Sequence, residues 1–228
     1  MLKEGKLRAF RNLPIGWVTH ANHARDLTER LFHHACEVII LLAVLGAVFA
    51  FSNDANRSVW LITSVVVVHT VWWVVNGNCH VCLLDSFKFF KNAGIAPILD
   101  YLCWARGWFT AGGDVVAVLV YGSFCRRQFH GRSDLDLRII RKAGARAFLK
   151  VMPLAVVART VSLARGIPTD LQVVDSEEFL LRQMRASELP ICVFGGGNLR
   201  RIVVSGTLEE VMNHPKMVMK GGSVLSNG

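Results

Sequence analysis

Residues Tyr121–Leu137 read YGSFCRRQFHGRSDLDL. Gly122-Ser123 ends a continuous apolar run, Val115–Tyr121 (VVAVLVY), whose length and β-branched content predict a buried strand. Ten residues separate Ser123 from Asp134-Leu135-Asp136, which opens a second predicted strand over Leu135–Ile140. Residues i and i+2 of a strand share a face, so Asp134 and Asp136 project together while Leu135 packs behind them. Two adjacent carboxylates repel each other unless a cation lies between them. Hard oxygen ligands of this kind suit Mg²⁺, which keeps several waters and takes further ligands from substrate phosphates.

A third strand is predicted over Thr169–Val174 (TDLQVV). Beside the Leu135–Ile140 strand it would carry Asp170 to the same place, and three carboxylates can hold two metals roughly 3.5–4 Å apart. Asp175 competes for this role; Asp170 is preferred because Leu171–Val174 continues a strand after it. Gly122 lets the backbone approach a phosphate, and Ser123 offers both N–H and hydroxyl as donors. Either half of the motif alone reads as a hairpin with solvated acids. Both halves at this spacing, between apolar strands and followed by a third acid, favour a catalytic site.

The pattern resembles the DNA polymerase beta-like nucleotidyltransferase superfamily, and most closely its minimal nucleotidyltransferases. Those proteins carry an apolar strand, Gly-Ser, a spacer, Ser-Asp-x-Asp-Leu and a later acid on a neighbouring strand. Here Gly122, Ser123, Ser133, Asp134, Asp136 and Leu137 fall in register with no gap, and Arg126 stands where arginine is frequent. Arg127 departs from the pattern, standing where minimal members usually have glycine, and its bulk bears on triphosphate access. The resemblance covers Val115–Asp175, about a quarter of the chain. It implies a small mixed-sheet α/β (α+β) core with flanking helices. It also implies transfer of a nucleoside monophosphate from a nucleoside triphosphate to an acceptor hydroxyl, releasing pyrophosphate, with two Mg²⁺ ions or Mn²⁺. Asp134, Asp136 and Asp170 would be the catalytic metal ligands, with Asp170 also the base. Gly122, Ser123, Arg126 and Ser133 would bind the nucleotide phosphates.

The N-terminal third is far more apolar. The hydrophobic share of the whole chain is 52% and its mean hydropathy +0.38, with the excess between Ala35 and Val75. Val38–Phe51 (VIILLAVLGAVFAF) and Val59–Val75 (VWLITSVVVVHTVWWVV) flank a polar turn, Ser52–Ser58, and predict a two-helix transmembrane hairpin. A span needs roughly 20 residues, which the first run reaches only by including Leu31–Glu37. Trp60, Trp72 and Trp73 lie near the ends of the second run, where amphipathic rings favour the headgroup level. Nothing else in the chain is large enough to cover two all-apolar helices. Six Lys/Arg (Lys3, Lys6, Arg8, Arg11, Arg25, Arg30) precede the hairpin and only Arg57 lies in its turn. Both termini and the C-terminal domain are therefore expected on the cytoplasmic side of a two-pass protein.

The net charge of +9 fits nucleotides, nucleic acid or an anionic membrane surface. No basic stripe with interleaved aromatics occurs, which disfavours nucleic acid as a partner. Six scattered cysteines make no disulfide scaffold. Cys79-His80-Val81-Cys82 lacks a second ligand pair for zinc and reads as packing. His69 reads as an interhelical hydrogen bond within the hairpin.

The expected organisation is a basic segment over 1–35, the hairpin over 36–76, a helical connector over 77–112 and the nucleotidyltransferase domain over 113–228. Within the domain, Ala143–Arg165 predicts a helix kinked or split by Pro153, and Ser176–Ser187 a helix with Ser176 as N-cap. Ile191–Phe194 and Arg201–Ser205 predict strands around Gly195-Gly196-Gly197. The function expected is membrane-anchored nucleotidyl transfer, with a lipid-linked glycan, a phospholipid headgroup or a protein as acceptor. Two alternatives stand beside it: the same chemistry on a small soluble acceptor, and a catalytically degenerate nucleotide-binding sensor or scaffold.

Overall fold

The computed structural model of the chain describes residues 17–18, 27–51, 56–76, 79, 91–184 and 188–220. Lys3, Lys6, Arg8, Arg11, Arg25, the turn at 52–55, His80, Cys82 and the tail from 221 lie outside them.

Two long helices come first, α1 (Leu27–Phe51) and α2 (Arg57–Asn76), then α3 (Ile95–Ala111). The rest runs β1 (Val115–Tyr121), β2 (Leu135–Arg141), α4 (Ala145–Ala164), β3 (Thr169–Val174), α5 (Glu177–Gln183), β4 (Ile191–Phe194), β5 (Gly206–Thr207) and α6 (Leu208–Asn213). The strands form one mixed sheet in the order β3-β2-β1-β4-β5. β1 is antiparallel to both β2 and β4, while β2–β3 and β4–β5 are parallel. The parallel β2–β3 pair needs a crossover, and α4 supplies it.

Alternation along the strands sorts the side chains between two faces. Val118, Val120, Leu135, Leu137, Ile139, Leu171 and Val173 point to the face covered by α3 and α4, where Ile98, Leu102, Phe109, Val151 and Met152 complete the main core. The other face carries Leu119, Tyr121, Ile140 and Val174 beneath Leu180 of α5 and Ile202. Its cover is thin, and Asp136, Arg138, Asp170 and Gln172 lie on this side. The helix within the expected connector, α3, is part of the main core: Ile98, Tyr101, Leu102, Ala105 and Phe109 are all buried. Tyr101 Oη also donates to the Ala158 carbonyl at 3.1 Å.

One local expectation is narrowed and another corrected. α4 runs unbroken through Pro153, which excludes the split of the two alternatives, kink or split. Pro153 is exposed, and Leu149, whose carbonyl it leaves without an intrahelical donor, is 64% exposed, so water can take the place of the missing N–H. Arg201–Ser205 forms no strand. Instead the Arg200, Arg201 and Ile202 N–H groups donate to the Glu177 carboxylate at 2.8–3.2 Å, which takes them away from any sheet ladder. Ser176 does cap α5, its hydroxyl accepting the Phe179 N–H at 3.2 Å, and the helix ends at Gln183.

α1, α2 and α4 are long and apolar enough to cross a membrane by length and composition. They differ in packing. α4 lies on the sheet, with Val151, Met152, Ala155 and Ala158 buried. α1 buries only Glu29 and His33, and leaves Ile39, Leu42 and Phe49 exposed; α2 leaves Val59, Trp60 and Ile62 exposed. The two helices meet at His69, whose Nδ1 lies 2.5 Å from Glu37 Oε1 and whose Nε2 lies 3.0 Å from the Trp17 carbonyl. The first turns of α1 dock on the domain. Glu29 pairs with Arg159 of α4 and accepts the Val173 N–H of β3 at 3.1 Å. Arg159 also donates to the Leu171 carbonyl at 2.7 Å and meets His33 Nε2 at 2.9 Å, all of it buried. A carboxylate from α1 thus occupies the outer edge of the edge strand.

Candidate functional site

Residues directly opposite each other in neighbouring strands point to the same face. Tyr121 pairs with Asp136, and Asp136 with Asp170, so one row across β1, β2 and β3 presents a phenol and two carboxylates. One step deeper, Arg138 pairs with Gln172. These side chains line a cavity of about 570 Å³ together with Gly122, Arg126, Leu180, Gln183, Met184 and Glu188.

The turn after β1 is built against the acids. Gly122 has φ +68°, and a Cβ there would lie 1.7 Å from Asp136 Oδ2. Glycine is therefore required twice over, for its backbone conformation and for the contact. Ser123 Oγ is buried with no hydrogen-bond partner among the described residues. Arg127 takes φ 59°, the one non-glycine residue with positive φ among the described residues. Arginine there holds a left-handed conformation that glycine adopts at lower cost. Arg126 forms an ion pair with Glu188.

Arg138 lies between the two carboxylates. Its Nη2 is 2.8 Å from Asp170 Oδ2 and 3.5 Å from Asp136 Oδ1, and its Nη1 donates to the Asp170 carbonyl at 2.6 Å. Gln172 Nε2 donates to Asp170 Oδ2 at 3.2 Å. Burial pushes the Asp136 carboxyl above its ordinary range, and the neighbouring Asp170 adds to this against the opposing pull of Arg138. For Arg138, burial works against the charge, but the two carboxylates outweigh it and hold the guanidinium more firmly protonated. Burial also raises the Tyr121 hydroxyl, which stays neutral.

No family model matches the chain. No curated protein and no solved structure matches it either.

Of the residues singled out in the sequence, Gly122, Arg126, Asp136 and Asp170 line the cavity and Ser123 adjoins Gly122. Asp134 precedes β2 and is not among the lining residues. Ser133 fixes the preceding loop: its hydroxyl accepts the His130 N–H at 3.0 Å and its carbonyl accepts from Asn92 Nδ2 at 2.7 Å. Asp175 pairs with Arg141 beyond the end of β3. Among the described residues no three His, Cys, Asp or Glu side chains converge on a metal-sized space. Arg138, Gln172, Tyr121 and Glu188 were not anticipated. The first two are the i+2 neighbours of Asp136 and Asp170 on their strands, so the period of two would have found them.

The chemistry of these donors fits one Mg²⁺. Two adjacent carboxylates with space for phosphate oxygens are a common Mg²⁺ arrangement. The glycine cradle brings backbone to the acids, and the unpaired Ser123 hydroxyl is a donor without an acceptor. Arg138, between the two carboxylates, carries a charge opposite to theirs.

Proposed function

We propose that the chain is a membrane-anchored nucleotidyltransferase that moves a nucleoside monophosphate from a nucleoside triphosphate to an acceptor hydroxyl. The observation that carries this reading is the row Tyr121–Asp136–Asp170 with the Gly122 turn pressed against the Asp136 carboxylate. Asp136 and Asp170 would hold Mg²⁺, with Asp134, two residues ahead of Asp136, as the third ligand that the sequence motif implies. The bound cation would supply charge neutralisation for the triphosphate and for the leaving pyrophosphate. Gly122 and Ser123 present N–H and hydroxyl donors to the phosphates, and Arg126 adds a positive charge on exchanging Glu188 for phosphate. Asp170 takes the proton of the acceptor hydroxyl. The acceptor oxygen then bonds to the α-phosphorus, and pyrophosphate leaves with the electron pair of the broken P–O bond. The exposed apolar surfaces of α1 and α2 support a two-helix membrane anchor. The Lys/Arg excess ahead of α1 supports a cytoplasmic domain, and an anchor puts the site within reach of membrane-linked acceptors.

One observation favours a second reading, a nucleotide-binding sensor without turnover: Arg138 already lies between the two carboxylates and offsets part of their charge. The separating experiment is pyrophosphate release from each of the four ribonucleoside triphosphates, in detergent with Mg²⁺ and native membrane extract as acceptor source. We expect Mg²⁺-dependent release by the wild type and a loss of roughly 10²–10⁴-fold in Asp136→Asn and in Asp170→Asn. Binding without release in the wild type would establish the sensor. Absence of nucleotide binding would overturn both.

A further inference from the structure

Two buried atoms of the cavity have no partner among the described residues: Tyr121 Oη and Gln172 Oε1. Both side chains are almost wholly enclosed, at 4% and 3% exposure, and both line the cavity. Buried polar atoms are normally paired, so two orphans in one wall mark a ligand's place. The orientation of the Gln172 amide is set by Asp170, whose carboxylate accepts from Nε2 at 3.2 Å. Its carbonyl oxygen can therefore only accept, and it needs an O–H or N–H. Tyr121 can donate or accept.

Asp136 and Asp170 share Arg138, and Arg126 is paired with Glu188. An ionised phosphate oxygen carries no hydrogen, so it cannot serve Gln172 Oε1, which needs a donor. Met184, which is half-buried, adds apolar surface of the kind that packs against the C–H face of a sugar ring. We propose that Tyr121 and Gln172 form a subsite for a neutral polyhydroxylated group, and that the acceptor of the reaction is a sugar or polyol. This rests on the nucleotidyltransferase reading. It follows from Gln172 sharing its amide with Asp170: a hydroxyl bound to Gln172 Oε1 places its vicinal neighbour beside the carboxylate that takes the acceptor's proton. Gln172 and Tyr121 would then set acceptor specificity and leave triphosphate binding to Gly122, Ser123 and Arg126.

The test is ligand-observed NMR on the full chain in a detergent without a sugar headgroup. The probes are methyl α-D-glucopyranoside and myo-inositol, with glucose 1-phosphate as the charged counterpart. The neutral probes are expected to bind the wild type, and to bind about five- to tenfold more weakly to Tyr121→Phe and to Gln172→Leu. Tyr121→Phe removes only an oxygen that is unpaired in the free protein, so it keeps the test open should Gln172→Leu fail to fold. Equal binding to wild type and variants, no binding of either neutral probe, or binding of glucose 1-phosphate alone would overturn the subsite. Mg²⁺–ATP binding is followed on the same samples. Its absence beside intact polyol binding would overturn the nucleotidyltransferase reading and leave the subsite standing; a change in nucleotide preference in Tyr121→Phe would assign the two atoms to the base instead. Glucosyl-diacylglycerol in nanodiscs completes the set: binding tighter than that of the soluble glycoside identifies a lipid-linked acceptor, and equal binding a soluble one.

Discussion

At the scale of single residues, the turn after β1 is where backbone conformation and site chemistry meet. A methyl group at Gly122 would collide with Asp136 Oδ2 and would also require a left-handed backbone of a residue that avoids it. Gly122→Ala is expected to lose about 1–3 kcal/mol of stability and nearly all turnover, checked by denaturant unfolding beside pyrophosphate release. Five residues on, Arg127 already pays a left-handed penalty of about 1 kcal/mol. Arg127→Gly is expected to raise the unfolding midpoint slightly, because the relieved strain outweighs the extra freedom of glycine in the unfolded chain; an unchanged or lowered midpoint would refute this. That an arginine stands four residues after Ser123 was visible in the sequence. Its energetic meaning was not, since φ is a property of the folded turn.

At the scale of elements, the segment after β4 is held by a side chain. Burial opposes ionisation of Glu177, but the backbone N–H groups of Arg200, Arg201 and Ile202 outweigh it and hold the carboxyl below its ordinary value. The sign follows. The ionised form is favoured in the folded state, so this contribution is fully present above the unfolded-state value of about 4.3 and is lost as pH falls through the lower folded one. Glu177→Gln is expected to cost about 1 kcal/mol at neutral pH, with the gap to wild type closing as pH drops below about 4, read from thermal unfolding against pH. Most elements were legible beforehand. Val115–Tyr121 and Thr169–Val174 are strands with the expected bounds, because short β-branched runs bounded by turn residues have few other uses. Arg201–Ser205 misled because a strand needs a neighbour, and here a carboxylate took the N–H groups first.

At the scale of the whole molecule, α1 is the link between the apolar helices and the site, since Glu29 and Arg159 tie it to β3 within three residues of Asp170. Breaking a buried ion pair from one side costs roughly 3–5 kcal/mol, while replacing both partners with apolar residues often costs far less. Glu29→Ala is thus expected to destabilise the domain strongly, and Glu29→Leu/Arg159→Met to recover most of the loss in guanidinium unfolding; a double variant as weak as the single one would refute the coupling. Sequence alone determined the strands that carry Asp136 and Asp170, the Gly-Ser turn, and two helices long and apolar enough to cross a membrane. These are local matters of periodicity, spacing and composition. The tertiary structure decided which acids share a face, that Arg138 stands between them, that α3 joins the core, and that Glu29 closes the edge of β3. Each of those depends on strand register or on contacts between residues far apart in the chain, and a pairwise register has no signature in a single strand's own residues.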